Sequence, residues 1–202
     1  MSEANIIIRR ATADDAGMIA QAVAMAIGDE KTLCSYCGKE YLPVLQEIAY
    51  AERTQYSWRS AFVAEVDGAT AGAIVGYDGA QLEELRANTF AIIERCVGFR
   101  PSVANETEAG EYYLDSVGVK PEFRGMGIGR KLISALCEEA FRQGYERVGL
   151  IVEPNNTKAH ALYSSVGFRC VGERPFFSHM MWHMQIEQNF SSNKFAKSLI
   201  DE

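Results

Sequence analysis

The sequence contains no apolar run of about 18 residues, the length that a membrane-spanning helix requires. Its first residues, Met1 to Asn5, are polar and acidic, unlike the cationic start and apolar stretch of a secretory signal peptide. We therefore expect a protein of the cytoplasm with no membrane partner.

Basic residues are too few for a nucleic-acid-binding surface to be expected. The chain has 20 lysines and arginines against 27 aspartates and glutamates, a formal net charge of −7. Binding to nucleic-acid phosphates requires a basic face, so we expect no nucleic-acid partner. An acidic balance is compatible with a cationic substrate such as an amine.

Cysteine and histidine are also scarce. Five cysteines, an odd number in a chain of 202 residues, argue against a disulfide framework. Cys34 and Cys37 have the spacing of a zinc knuckle or a redox pair, but no second Cys-x-x-Cys pair completes a zinc site. The pair is expected between two helices, whereas a redox motif opens a helix after a strand. His179 and His183 are expected on one strand, too far apart to chelate, so we predict no metal site.

Strand and helix patterns alternate along the chain without an internal repeat, which favours a single α/β (mixed α+β) domain over residues 1–187. Residues 188–202 are mixed and polar and are expected to form a C-terminal tail. The strands are predicted at 6–10, 61–66, 71–77, 112–119, 147–152, 168–171 and 181–186, and the helices at 12–28, 39–56, 81–97, 128–144 and 156–166.

A glycine-rich turn, Arg124-Gly-Met-Gly-Ile-Gly129, stands where a strand gives way to a helix. The first amides of a helix have no intrahelical acceptor and carry partial positive charge, so a diphosphate is a natural ligand there. The turn lacks the Lys-Ser/Thr ending of a nucleoside-triphosphate loop, and its spacing is not Gly-x-Gly-x-x-Gly. A tight strand-to-helix connection without a ligand is the alternative interpretation.

Two stretches together are similar to the signatures of the GNAT acetyltransferases. Residues 114–129 resemble the first, a strand ending in Val-x-Pro and followed by Arg/Gln-x-x-Gly-x-Gly/Ala. The second, Asn-x-x-Ala-x-x-x-Tyr-x-x-x-Gly-Phe, is matched by the residues Asn156, Ala159, Tyr163, Gly167 and Phe168. They occur in the family's order, with a helix and a strand between them.

The resemblance implies a central mixed, mostly antiparallel β-sheet flanked by helices, with two strands splayed apart around acetyl-CoA as co-substrate. It places the pantetheine arm on one of these strands and the diphosphate on the glycine turn, and it makes the side chain of Asn156 face the cofactor as well as cap its helix. The cofactor-binding residues implied are Val117, Gly118, Val119, Arg124, Gly125, Met126, Gly127, Ile128, Gly129, Arg130, Asn156 and Tyr163.

The resemblance also assigns catalytic roles. Tyr163 is expected to protonate the departing thiolate, or else only to pack its helix against the sheet. Some members use a glutamate as base at the position held here by Ile151, so this chain departs from that arrangement. Asp115 is the first candidate for the base and Glu111 the second; a bracing role for Asp115, with water acting as the base, is the alternative.

The implied reaction is direct transfer of an acetyl group to a primary amine of a small molecule or peptide. Residues 28–56 and the insert 79–110 carry no family motif, and we expect acceptor specificity to come from them. The alternative is a catalytically weak acyl-CoA-binding or regulatory module of the same fold. A homodimer is compatible with the resemblance, because dimers are common among relatives.

Overall fold

The computed structural model describes residues 4–176 and 179–188, so the predicted tail lies almost wholly outside the described residues. The strands are β1 Ile6–Arg10, β2 Ala61–Val66, β3 Ala69–Asp78, β4 Tyr112–Val119, β5 Arg147–Val152, β6 Arg169–Phe176 and β7 His179–Glu187. The helices are α1 Ala16–Ile27, α2 Glu30–Cys37, α3 Tyr41–Tyr50, α4 Leu82–Val97, α5 Ile128–Arg142 and α6 Thr157–Val166. Over the described ranges, no helix is both long enough and apolar enough to cross a bilayer.

All seven strands form one sheet in the order β1-β2-β3-β4-β5-β7-β6. Every neighbouring pair is antiparallel except β4 and β5. A parallel pair needs a crossover connection, and α5 supplies it. The predicted Asp67-Gly68 hairpin joins β2 to β3 with positive φ at both residues, 49° and 84°. The mixed, mostly antiparallel fold expected from the resemblance is confirmed.

Helices cover both faces of the sheet because neighbouring strand residues point to opposite sides. Val63 and Ala73 pack with α1, α3 and α4 in one apolar cluster. Ala64 and Ile74 pack with α5 and Tyr163 of α6 in a second cluster on the other face. The sheet is thus buried from both sides where β3 and β4 cross its centre.

The sheet splits between β4 and β5. These strands pair only at Tyr112 with Val148 and at Tyr113 with Gly149, although both continue beyond those residues. At the same point β4 carries a bulge: the consecutive β3 residues Val75 and Gly76 pair with Ser116 and Leu114, which leaves Asp115 without an opposite residue. A bulge bends its strand and redirects a side chain. The bulge therefore coincides with the opening and turns Asp115 toward it.

The segment between α1 and β2 differs from the prediction. It holds two helices, α2 and α3, where one was expected at 39–56. Cys34 and Cys37 consequently lie inside α2, so their predicted place between two helices is wrong. Asp29 caps α2 by accepting a hydrogen bond from the Thr32 amide at 2.8 Å. That Asp-x-x-Thr pattern was the available signal, and the short, mostly polar helix gave little hydrophobic periodicity.

Candidate active site

A cavity of about 420 Å³ occupies the split between β4 and β5. Tyr113, Asp115 and Val117 of β4 line it at the centre. One wall comes from the end of β5 and from α6, and its members are Ile151, Val152, Asn156, Ala159, Leu162 and Tyr163. The opposite wall, which we call the acceptor wall, consists of Tyr36, Gln55, Tyr56, Arg86, Phe90 and Glu106. The cavity therefore joins the family-like half of the chain to the two segments that carry no family motif.

The glycine turn leaves the first turn of α5 open. Gly125 and Gly127 have φ values of 81° and 76°, in the left-handed region that glycine adopts without strain. A Cβ atom at either position would meet no described atom within 4 Å. The N-cap residue Gly127 has no side chain to accept the first amides of α5. Those amides are therefore suited to hold an anion.

The turn does not itself border the cavity, but it packs directly against the wall that does. A Cβ at Gly129 would lie 3.3 Å from Cδ2 of Leu162, a cavity-lining residue. The Arg130 guanidinium donates to the Ser165 carbonyl at 2.9 Å, and Arg124 Nε donates to the Val119 carbonyl at 3.1 Å. Both arginines thus tie the turn to its neighbours in addition to adding positive charge nearby.

Among the described residues, none pairs with the β4 edge that faces β5 beyond Tyr113, which leaves the backbone of residues 117–119 open on that side. The other edge of β4 pairs with β3, and one face of the strand packs closely against α1. A Cβ at Gly118 would lie 2.6 Å from the Ala22 Cα, so only glycine fits there. Close packing of α1 therefore fixes the position of the strand that is expected to hold the pantetheine arm.

Asp115 has a pKa suited to proton transfer at neutral pH. It accepts hydrogen bonds from the Tyr77 hydroxyl at 2.9 Å and from the Ser116 hydroxyl at 2.8 Å. Burial, followed by the negative charge of Glu106, raises the pKa of Asp115 to about 7. The side chain is partly exposed and lines the cavity. These properties are those of a general base.

A buried polar network extends from Asp115 into the acceptor wall. The Gln55 amide nitrogen lies 3.1 Å from the Tyr77 hydroxyl and 3.2 Å from Oε1 of Glu106. Arg86 forms an ion pair with the same glutamate. Burial raises the pKa of Glu106, against the opposing charge of Arg86. No sequence pattern points to these residues, because Glu106 stands in a polar loop and resembles an ordinary surface charge.

Tyr163 and Asn156 lie on the cavity wall formed by the end of β5 and by α6. Burial raises the pKa of the Tyr163 hydroxyl to about 12. Its ring packs on Phe168 with centroids 5.9 Å apart, so the predicted packing role is real. Asn156 caps α6 by accepting a hydrogen bond from the Ala159 amide at 3.1 Å. Both side chains also border the cavity.

Glu111, the second candidate for the base, does not line the cavity. Its carboxylate lies 2.9 Å from the His183 ring and accepts hydrogen bonds from Gln185 at 2.7 Å and Thr107 at 2.8 Å. Burial would raise the pKa of Glu111, but these hydrogen bonds outweigh burial and hold the pKa below its ordinary value. The carboxylate fills the space beside Gly149, where a Cβ would lie 2.0 Å from Oε2. The placement argues for a structural brace at the base of the split.

The two histidines of β7 have separate surroundings. His183 is buried and bound to Glu111, whereas His179 is exposed and borders the cavity. In the described ranges, no three histidine, cysteine, aspartate or glutamate side chains group in a way that could hold a metal ion.

The comparisons with known proteins identify the class. The model of the acetyltransferase (GNAT) family matches residues 31–168. Because this match spans more than half of the chain, the chain belongs to the GNAT acetyltransferase family. A solved acetyltransferase is similar with a TM-score of 0.76 and 30% identity, over 91% of this chain and all of that one. An N-acetyltransferase from Staphylococcus aureus Mu50 also has a TM-score of 0.76, with 25% identity over 89% of this chain and 100% of that one.

Curated relatives match over shorter stretches. The N-alpha-acetyltransferase RimI of Mycobacterium tuberculosis is 47% identical over 32% of this chain. The thialysine N-epsilon-acetyltransferase of Sus scrofa is 43% identical over 30%, and the mycothiol acetyltransferase of Gordonia bronchialis is 40% identical over 37%. The matched regions cover only 39%, 36% and 24% of those proteins. The family and the fold predicted from the sequence are confirmed.

The bracing role of Glu111 predicts a pH-dependent effect on stability. Glu111→Gln should lower the free energy of unfolding by about 1–3 kcal/mol at pH 7, because a buried, hydrogen-bonded carboxylate is lost. The folded-state pKa is below the ordinary value of 4.5. The stabilisation is therefore present above that pH and is lost as the pH falls further.

Urea unfolding of both proteins between pH 3 and pH 8 measures this difference. Glu108→Gln is the matched control, because Glu108 is 70% exposed and its substitution should change stability little. A loss in Glu111→Gln that is equally large at pH 3 would contradict the brace.

Proposed function

We propose that this protein transfers the acetyl group of acetyl-CoA directly to a primary amine of a small molecule or peptide. The observation that carries the proposal is the cavity in the split sheet, where Asp115 and Tyr163 both border the same space. One group has a pKa near neutrality, and the other is a weak acid. A base and an acid that border one space can assist both proton transfers of amine acetylation.

The cofactor side of the proposal rests on α5, α6 and β4. Amides at the open start of α5, residues 125–130, would accept the diphosphate. The unpaired β4 edge at residues 117–119 would hydrogen-bond the pantetheine arm as an added strand would. Support for acetyl-CoA comes from the yncA protein of Salmonella typhimurium, solved with its cofactor acetyl-CoA, which shares the fold with a TM-score of 0.59 at 20% identity. That structure covers 92% of this chain and aligns over 95% of its own.

The reaction would proceed by attack of the amine on the thioester while both substrates are bound. Asp115 accepts a proton from the ammonium group, which frees the nitrogen lone pair to bond with the acetyl carbon. A backbone N–H at residues 117–119 stabilises the oxyanion. Formation of the carbon–nitrogen bond leaves one extra proton on the nitrogen. As the carbon–sulfur bond breaks, Tyr163 gives its proton to the thiolate, and the extra N–H proton then passes to the Tyr163 phenolate and restores the hydroxyl. The proton on Asp115 leaves to solvent, so the products are an N-acetyl amine, CoA and one proton. Positioning of the two substrates supplies much of the acceleration.

The relatives support an amine as the acceptor. Two of their names place acetylation on nitrogen, the N-epsilon of thialysine and N-alpha groups, and a third names mycothiol. The acidic side chains that border the cavity, Asp29, Glu106, Asp115 and Glu153, favour a cationic acceptor. Amine nitrogen is therefore the acceptor that both the site and the relatives support.

A second candidate function is an acyl-CoA-binding module without turnover. The observation in its favour is Ile151, an apolar residue that borders the cavity where some family members have a glutamate base. Asp115 supplies a carboxyl group elsewhere in the same cavity, which favours the enzyme.

Cofactor binding can be tested by calorimetric titration of acetyl-CoA, with ATP and NAD as controls. Gly127→Ala should weaken the affinity for acetyl-CoA about tenfold or more, because its methyl group crowds the diphosphate and strains a backbone with φ of 76°. Gly144→Ala is the matched control, since Gly144 follows the other end of α5, has φ of 93° and also has open space. Equal losses in both variants, or tighter binding of ATP, would reject the site.

The base can be tested by the pH dependence of turnover. Because Asp115 must be deprotonated to accept a proton, kcat/KM should rise with pH through about 7. Asp115→Asn should lower kcat by about 10²- to 10⁴-fold and remove that rise. Glu153→Gln, a change in another carboxylate bordering the cavity, should keep it. If kcat/KM of Asp115→Asn still rose with pH as in the parent protein, a group other than Asp115 would be the base.

The proposed role of Tyr163 as a proton donor distinguishes an enzyme from an acyl-CoA-binding module without turnover. Tyr163→Phe removes only the hydroxyl, so kcat should fall by about 10²-fold or more while the affinity for acetyl-CoA stays within about twofold. A free-thiol assay measures CoA release, and calorimetry measures affinity. Unchanged turnover in the variant would reduce Tyr163 to packing, and no turnover in the parent protein would favour the module.

A further inference from the structure

The charge balance of the acceptor wall bears on which amines can enter. Arg86 is the one residue with a permanently cationic side chain among those that line the cavity within residues 4–176 and 179–188. An amino-acid substrate would bring a carboxylate, and this guanidinium would be its natural partner. Whether the acceptor wall can bind a substrate carboxylate therefore depends on whether Arg86 is free to pair with one.

The Arg86 side chain already forms hydrogen bonds and an ion pair within the protein. Its Nη1 donates to the carbonyls of Val103 at 3.3 Å and Ala104 at 3.2 Å and to Oδ1 of Asn105 at 2.7 Å. Its Nη2 is paired with Glu106, and the two side chains are 9% and 3% exposed. Only Nε has no partner among the described atoms. The guanidinium therefore holds the loop in place, and Glu106 already compensates its charge, so it offers a substrate carboxylate no uncompensated positive charge.

The rest of the wall suits a cation. Tyr36, Tyr56 and Phe90 are buried, with 4%, 6% and 7% exposure, and they present aromatic surface to the cavity. Aromatic faces attract ammonium groups electrostatically. Gln55 also lines the cavity, and its buried Oε1 has no hydrogen-bond donor in the described part of the chain. Its amide nitrogen is fixed on Tyr77 and Glu106, so the oxygen remains available for an N–H donor.

We propose that the acceptor is an amine whose carbon skeleton carries no carboxylate, such as an alkylamine, arylalkylamine or diamine. A carboxylate in this cavity would face Glu106 and Asp115 with no uncommitted cation to compensate its lost hydration. An ammonium group meets carboxylates, aromatic rings and an unsatisfied amide oxygen. The inference rests on the proposed acetyl transfer and narrows its substrate class.

Matched pairs of amines that differ only by a carboxylate test the inference on the unaltered protein. Suitable pairs are 1,5-diaminopentane with lysine, and 2-phenylethylamine with phenylalanine, measured by CoA release from acetyl-CoA. For at least one pair, kcat/KM should be about 100-fold or more higher for the member without the carboxylate. Equal values, or a preference for the amino acid, would overturn the inference and leave acetyl transfer standing.

Glu106→Gln adds a reciprocal test. The substitution leaves the guanidinium of Arg86 without its counter-charge. The ratio of kcat/KM between the amine without a carboxylate and its carboxylated partner should therefore fall about tenfold or more. The ratio between two substrates in one variant cancels any loss they share, including one caused by an altered Asp115. Glu108→Gln, the same change two residues away on an exposed side chain, should keep the parent ratio. An unchanged ratio in folded Glu106→Gln would contradict the role assigned to the ion pair.

Failure of the proposed acetyl transfer itself would give a different result. If no amine is acetylated, although acetyl-CoA binds in the calorimeter, the module interpretation is favoured and the substrate inference is lost with the enzyme. If Glu106→Gln does not fold, as judged by circular dichroism, the matched pairs decide the inference alone.

Discussion

The rest of this structure depends on the end of pairing between β4 and β5 after Tyr113 and Gly149. A continuous ladder would close the sheet and bury both strands under helices. Here α5 connects two strands that meet at one end only, and the bulge at Asp115 coincides with the separation. The cavity, the end of β4–β5 pairing and the carboxyl group of Asp115 thus lie at the same point of the sheet.

Two acidic residues four positions apart, Glu111 just before β4 and Asp115 on it, show how the surroundings of a carboxyl group set its pKa. Glu111 stands just before β4 and is surrounded by His183, Gln185 and Thr107, whose hydrogen bonds hold its pKa low. Asp115 lies within hydrogen-bond reach of two hydroxyls, but burial and a nearby glutamate raise its pKa to about 7. One carboxylate stays charged and braces the closed end of the split, while the other can exchange a proton.

The insert between β3 and β4 contributes residues to the cavity wall. It brings Arg86 and Phe90 on α4 and Glu106 on the following loop to the wall opposite α6. The loop is held by the contacts of Arg86 with residues 103–106 and by packing so close that a Cβ on Gly79 would lie 2.2 Å from the Glu108 carbonyl. Two contact networks therefore define the site, one on the family-like helices and one on the insert.

The sequence by itself determined the features that local chemistry dictates: the glycine turn, the Asn156 cap, the Asp67-Gly68 hairpin, and the strand from Tyr112 to Val119. It could not show that Asp115 lies in a bulge, that Glu111 meets residues more than 70 positions away, or that Glu106 is buried beside Arg86. Those properties come from contacts between distant segments. Local patterns record what a segment can form, whereas burial and pKa depend on which segments the folded chain brings together.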